Sequence, residues 1–163
     1  MKVKNTFACV ATILIGTSLL AFGKEEKEET VDWADVPAVV RQAAKELVPR
    51  KSIQKIEKDT EDGKVSYEFQ IVEVGRKAEL TLGVDGTLIS TEDVVALTDT
   101  PAVVRQTLET QAAGGKMGTV EKVTEDGKTT FETKVEKDGK KTEITVTPDG
   151  KVAATEDVTH EKD

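Results

Sequence analysis

The chain holds one cysteine, one histidine and few aromatic side chains among its 163 residues. Each shortage removes a class of chemistry. Cys9 lies inside an apolar N-terminal run. Once that run is removed, no disulfide, thiolate nucleophile or Cys-ligated metal can form. His160 sits in a short polar tail, so neither a His-based metal cluster nor a histidine base is available to the folded part. Past the N-terminal run the serines are Ser52, Ser66 and Ser90, and none sits in a Gly-x-Ser-x-Gly elbow. Phosphate-loop and dinucleotide fingerprints are missing too. Carboxylate pairs abound in any chain this acidic, but a small helix-covered sheet offers little pocket for a sugar. The expectation is a protein that is not an enzyme and carries no cofactor and no metal.

Long hydrophobic runs are also scarce. The one present extends from about Phe7 to Phe22, after Lys2 and Lys4, and ends in Ala21-Phe22-Gly23. It is roughly 16 residues, shorter than the ~20 that a spanning helix needs. This is the layout of a secretory signal peptide, so residues 1–23 are expected to be cleaved, with no stable membrane insertion afterwards; the alternative is an uncleaved anchor. The mature chain is then periplasmic or secreted. Removing Lys2 and Lys4 takes the net charge from −8 to −10. A chain so acidic is repelled by nucleic acid and by anionic membranes. Residues 24–30 crowd Glu25, Glu26, Glu28 and Glu29 together and read as a solvated acidic leader.

Internal self-similarity is what the chain has in abundance. Pro37 to Gln42 recurs at Pro101 to Gln106, and Thr60 to Lys64 at Thr124 to Lys128. Asp85-Gly86 recurs at Asp149-Gly150, and Thr91 to Val94 at Thr155 to Val158. Every pair is offset by 64 positions. Two units, 31–94 and 95–158, abut without a linker at about 40% identity, and a polar tail, 159–163, follows. Such self-similarity is the mark of duplication.

Each unit predicts one helix and then about four antiparallel strands. Asp35 is the expected N-cap, with Pro37 in the first turn. Val36, Val39, Val40, Ala43, Ala44 and Leu47 form an apolar stripe at helical spacing. Trp33 is placed to staple the entry of the chain. Val65, Tyr67, Phe69 and Ile71 alternate with polar residues, as do Ala78, Leu80, Leu82 and Val84. Phe131, Thr133 and Val135, then Thr142, Ile144 and Val146, repeat the pattern. Asp-Gly pairs supply the turns. The fold class predicted is α+β: two tandem units, each one helix packed on a roughly four-stranded antiparallel sheet. The core is expected to join Tyr67, Phe69, Leu80 and Leu82 to Val40 and Leu47.

The Asp-x-Pro-Ala-Val-Val-Arg helix start, the Asp-Gly-Lys turn before a strand with Tyr or Phe, and the closing Asp-Gly hairpin resemble PepSY-like domains of exported bacterial proteins. In tandem, the architecture also resembles that of small secreted β-lactamase-inhibitor proteins. The resemblance implies a helix on an antiparallel sheet and an extracytoplasmic role in inhibiting or regulating a peptidase. It brings no catalytic motif.

Eight residues stand out as candidates for interaction. Arg41 and Gln42, and their counterparts Arg105 and Gln106, flank the apolar stripe and could grip a partner's carboxylate, or pair locally. Glu92, Asp93, Glu156 and Asp157 are duplicated acids at strand ends. Calcium wants six or more oxygens from a shaped loop, and adjacent strand acids point to opposite faces. The function expected is an exported, non-catalytic binding module with a protein partner. The alternative is an envelope protein that binds a small ligand or cation on its acidic surface.

Overall fold

The computed structural model describes residues 26–160, so the segment expected to be a signal peptide lies outside the described residues. Nine strands form one antiparallel sheet in chain order: β1 (Glu26–Thr30), β2 (Ile53–Glu61), β3 (Lys64–Glu73), β4 (Arg76–Gly83), β5 (Leu88–Val95), β6 (Lys116–Glu125), β7 (Lys128–Lys137), β8 (Lys140–Val146) and β9 (Val152–Asp157). Helix α1 (Ala38–Leu47) precedes β2, and α2 (Ala102–Gln111) lies between β5 and β6.

This corrects the expectation of two tandem helix-on-sheet units. The sheet does not divide. β5 pairs with β6 from Ser90↔Glu125 to Val95↔Val120, so the ladder runs unbroken through the middle of the chain. A free strand edge at that point would leave a row of N–H and C=O groups unpaired, and joining the edges satisfies them. Residues 26–30, part of the stretch read as a solvated leader, instead extend the sheet by pairing with β2, although the side chains of residues 27–30 stay at the surface.

The tight turns follow from Asp-Gly pairs. Asp62-Gly63, Asp126-Gly127 and Asp138-Gly139 all have positive φ at both positions, the conformation that two-residue hairpins prefer. Gly86 and Gly150 carry a second constraint. A Cβ on Gly86 would stand 3.2 Å from the Val39 carbonyl oxygen, and one on Gly150 would stand 3.0 Å from the Val103 Cβ. These turns press against the helices, where any Cβ would be tightly crowded.

Both helices lie on the same face of the sheet. Under α1, Val40 and Ala44 pack with Tyr67, Phe69, Ile71, Leu80 and Leu82. Under α2, Val104 and Leu108 pack with Phe131, Val135, Ile144 and Val146. Trp33 joins the first cluster, edge-on to Phe69 at 6.3 Å between ring centroids, with the Arg50 guanidinium 4.6 Å from its ring centroid. Two details of the expected helix differ. The N-cap is Pro37, not Asp35, and its carbonyl accepts the Arg41 amide. Asp35 instead closes a turn by donating its amide to Asp32. Leu47 and Val39 are about half exposed, because the sheet reaches only the Val40–Ala44 side of the stripe.

Candidate functional site

Strand side chains alternate between faces, so the register fixes which residues face away from the helices. Phe69 faces α1, and its neighbours Glu68 and Gln70 face outward. Following the register, Glu57 lies directly opposite Glu68 across β2 and β3. Glu79 opposes Glu92 across β4 and β5. Glu121 opposes Glu132 across β6 and β7, and Glu143 opposes Glu156 across β8 and β9. Each hairpin therefore sets two glutamates side by side on the open face. The pairs also connect: Glu79 is diagonal to Glu68, Glu121 to Glu92, and Glu143 to Glu132. They form one oblique stripe from β2 to β9, roughly 34 Å at strand spacing.

Directly opposed side chains have Cβ atoms about 5 Å apart, and like charges at that distance repel. Burial sharpens the conflict. Glu92 and Glu132 are only 8% and 7% exposed, although no described helix or strand covers this face. The Oε2 atom of Glu79 is enclosed and accepts no hydrogen bond within the described structure. Desolvation is the main cause that pushes Glu68 and Glu79 up to about 8, with Glu79 and Glu92, respectively, as the largest charged contributors. Burial also raises Glu132, partly offset by a hydrogen bond from the Thr130 hydroxyl at 3.2 Å.

Lysines flank the stripe. Lys55 pairs with Glu57 at 2.6 Å, and Lys134 with Glu143 at 3.8 Å. Lys77 borders a hollow of about 180 Å³ in the middle of the face, where Glu79, Glu92 and Glu121 meet apolar walls from Val72 and Val94. The hollow can take a side chain with an apolar stem and a polar head. Among the described residues, no three His, Cys, Asp or Glu side chains are grouped so as to hold a metal ion.

The structure disperses the eight residues singled out from sequence. Arg41 donates to the carbonyl of Ala34 at 3.0 Å and of Trp33 at 3.4 Å, which fastens the segment before α1. Arg105 does the same to Thr98 at 3.3 Å. Gln42 is exposed and donates to Glu46 at 3.3 Å, and Gln106 is exposed on α2. All four belong to the helix side. Glu92 and Glu156 lie in the stripe, whereas Asp93 and Asp157 point to the other face, opposite Ala78 and Thr142. Hydrogen bonds from Thr159 hold Asp157 below its ordinary range. The remaining six glutamates of the stripe were missed. The signal was present: Glu57 and Glu121, Glu68 and Glu132, and Glu79 and Glu143 are each 64 positions apart, like Glu92 and Glu156.

No family model matches the chain, and no curated protein matches it significantly. Solved structures do. A DUF2874 family protein from Bacteroides ovatus aligns with a TM-score of 0.65 at 21% identity, over 79% of this chain and 93% of that one. A BLIP-like protein from Bacteroides fragilis aligns with a TM-score of 0.63 at 21% identity, over 78% of this chain and 90% of that one. A protein from Bacteroides eggerthii, provisionally described as periplasmic, gives 0.65 at 20% identity, over 76% and 90%. The chain shares its fold with these proteins, and its architecture is consistent with a BLIP-like one.

Proposed function

We propose that this is an exported, non-catalytic protein that binds a protein partner on the open face of its sheet. The observation that carries this reading is the asymmetry of the sheet. One face is spent on the helices and the apolar core. The other holds eight glutamates in register, three of which, Glu79, Glu92 and Glu121, line a hollow. Like charges set side by side cost stability, so a fold with no use for them gains by replacing them. A partner bearing Lys or Arg side chains would add opposite charge to this face, and a basic side chain suits the apolar walls and acidic end of the hollow.

The resemblance to PepSY-like domains and the BLIP-like fold of the Bacteroides fragilis protein support an inhibitory or regulatory role toward an envelope peptidase or similar protein. The apolar segment before Lys24 and the provisional description of the Bacteroides eggerthii protein support a periplasmic site of action.

The test compares the two faces. Wild-type protein, a Glu79→Lys/Glu132→Lys variant and an Arg105→Ala/Gln106→Ala variant would each be used to capture partners from an envelope extract. A partner held by wild type and by the helix-side variant, but lost by the charge-reversed face, supports the reading. Binding that survives charge reversal and fails on the helix-side variant places the interface elsewhere.

A further inference from the structure

We infer that the open face is a proton-gated surface: its central glutamates hold protons near neutral pH and release them when the solution turns alkaline or a cationic partner arrives. The inference rests on the docking reading above and adds its regulation. Its basis is the geometry of opposed pairs. Glu79 faces Glu92 across β4 and β5 and Gln70 across β3 and β4, with Glu68 at its diagonal and Glu121, one strand further, at the diagonal of Glu92. Beyond them stand Glu57 and the ammonium of Lys55, and Lys77 borders the same hollow. Glu68 faces Glu57 and Thr81, with Asp59 and Glu79 beside it. Glu132 faces Glu121 and Thr145, with Glu125 contributing repulsion. In each case the group directly across a neighbouring strand is another carboxylate.

Two carboxylates in one partly dry site do not both ionise readily. One keeps a proton. The raised values of about 8 at Glu68 and Glu79 agree with that arrangement. A Lys or Arg group entering the hollow reverses the local field and expels the proton. Partner affinity must therefore rise with pH, and binding must release protons.

The test needs no partner. Side-chain carboxyl signals of the isotope-labelled protein, followed by NMR from about pH 4 to pH 10, give a midpoint for each glutamate. The expected result is midpoints for Glu68 and Glu79 well above the ordinary glutamate range. Glu92→Gln should lower the Glu79 midpoint by about one pH unit, and Glu156→Gln should leave it in place. Ordinary midpoints throughout the stripe, or a Glu79 midpoint indifferent to Glu92→Gln, would overturn the gate. The docking reading survives that outcome, because it is decided by the capture experiment with the charge-reversed face. A capture result against docking leaves the titration unaffected.

Discussion

The two halves of the sheet are built from corresponding residues, yet they are not equally well filled. Under α1 the centre of the core is Phe69, fully buried and braced by Trp33. The corresponding position under α2 is Thr133, 2% exposed, whose hydroxyl donates to the Thr119 carbonyl at 2.7 Å. Leu97 stands where Trp33 stands in the first half, and Val146 where Leu82 does. The second half thus replaces aromatic volume with a hydrogen bond near the β6 bulge between Met117 and Val120. A buried aromatic ring contributes several kcal/mol, whereas a hydrogen bond contributes about 1 kcal/mol net. The lesson is that the second half borrows its stability through the β5–β6 ladder.

The largest break in this comparison is to cut the chain there. A fragment starting at Val95 loses the partner of β6 and should be unfolded, while the intact protein unfolds in one transition. Urea denaturation followed by circular dichroism checks both. A fragment as stable as the whole would mean that the halves stand alone.

Core substitutions come next. Phe69→Ala should cost about 3–5 kcal/mol, and Thr133→Val about 1 kcal/mol through the lost hydrogen bond. Leu80→Ala should cost about 2–5 kcal/mol, far more than Thr81→Ala on the opposite face. Equal losses at 69 and 133 would show that the second core is as tightly determined as the first.

The smallest effect is in the acids. Glu79 holds its proton in the folded state up to about pH 8, while its ordinary value is 4.5. Between those limits the folded state binds more protons than the unfolded, so stability falls as pH rises through the window. Glu79→Gln should flatten that decline. Glu143→Gln, at the corresponding place in the second half, should change it little, since Lys134 already stands beside Glu143. Unfolding midpoints at about pH 6 and about pH 9 decide it. Matching profiles for the two variants would erase the distinction.

Much of this was legible in the sequence. Alternation at Tyr67, Phe69 and Ile71, and the Asp-Gly turns, placed β3, β4, β7 and β8, because a half-buried strand must show period two. The junction was not legible. β5 and β6 pair through short, mixed stretches such as Ser90-Thr91-Glu92 and Thr124-Glu125, whose contribution is backbone hydrogen bonding. Backbone pairing leaves no mark on residue type. β1, with the sequence Glu-Lys-Glu-Glu-Thr, has no apolar residue at all. The acidic stripe was hidden for a related reason. A glutamate on an alternating strand is expected to face water, and only the cross-strand register shows that each one faces another glutamate.

β1 also has a bearing on how large this protein can grow. It pairs Glu26 with Glu61, and β5 pairs Ser90 with Glu125; both members of the two pairs are 64 positions apart. β1 thus occupies, in the same register, the place that the last strand of a preceding copy would take. β9 is the counterpart of β5 and offers the side that β5 gives to β6. Copies joined β9 to β2 would add to one another without limit, since a head-to-tail contact that does not close makes a fibre. Five charged and polar residues laid along β2 occupy the edge on which that polymer would grow. Deleting residues 26–30 should release it, and light scattering against concentration would register the growth.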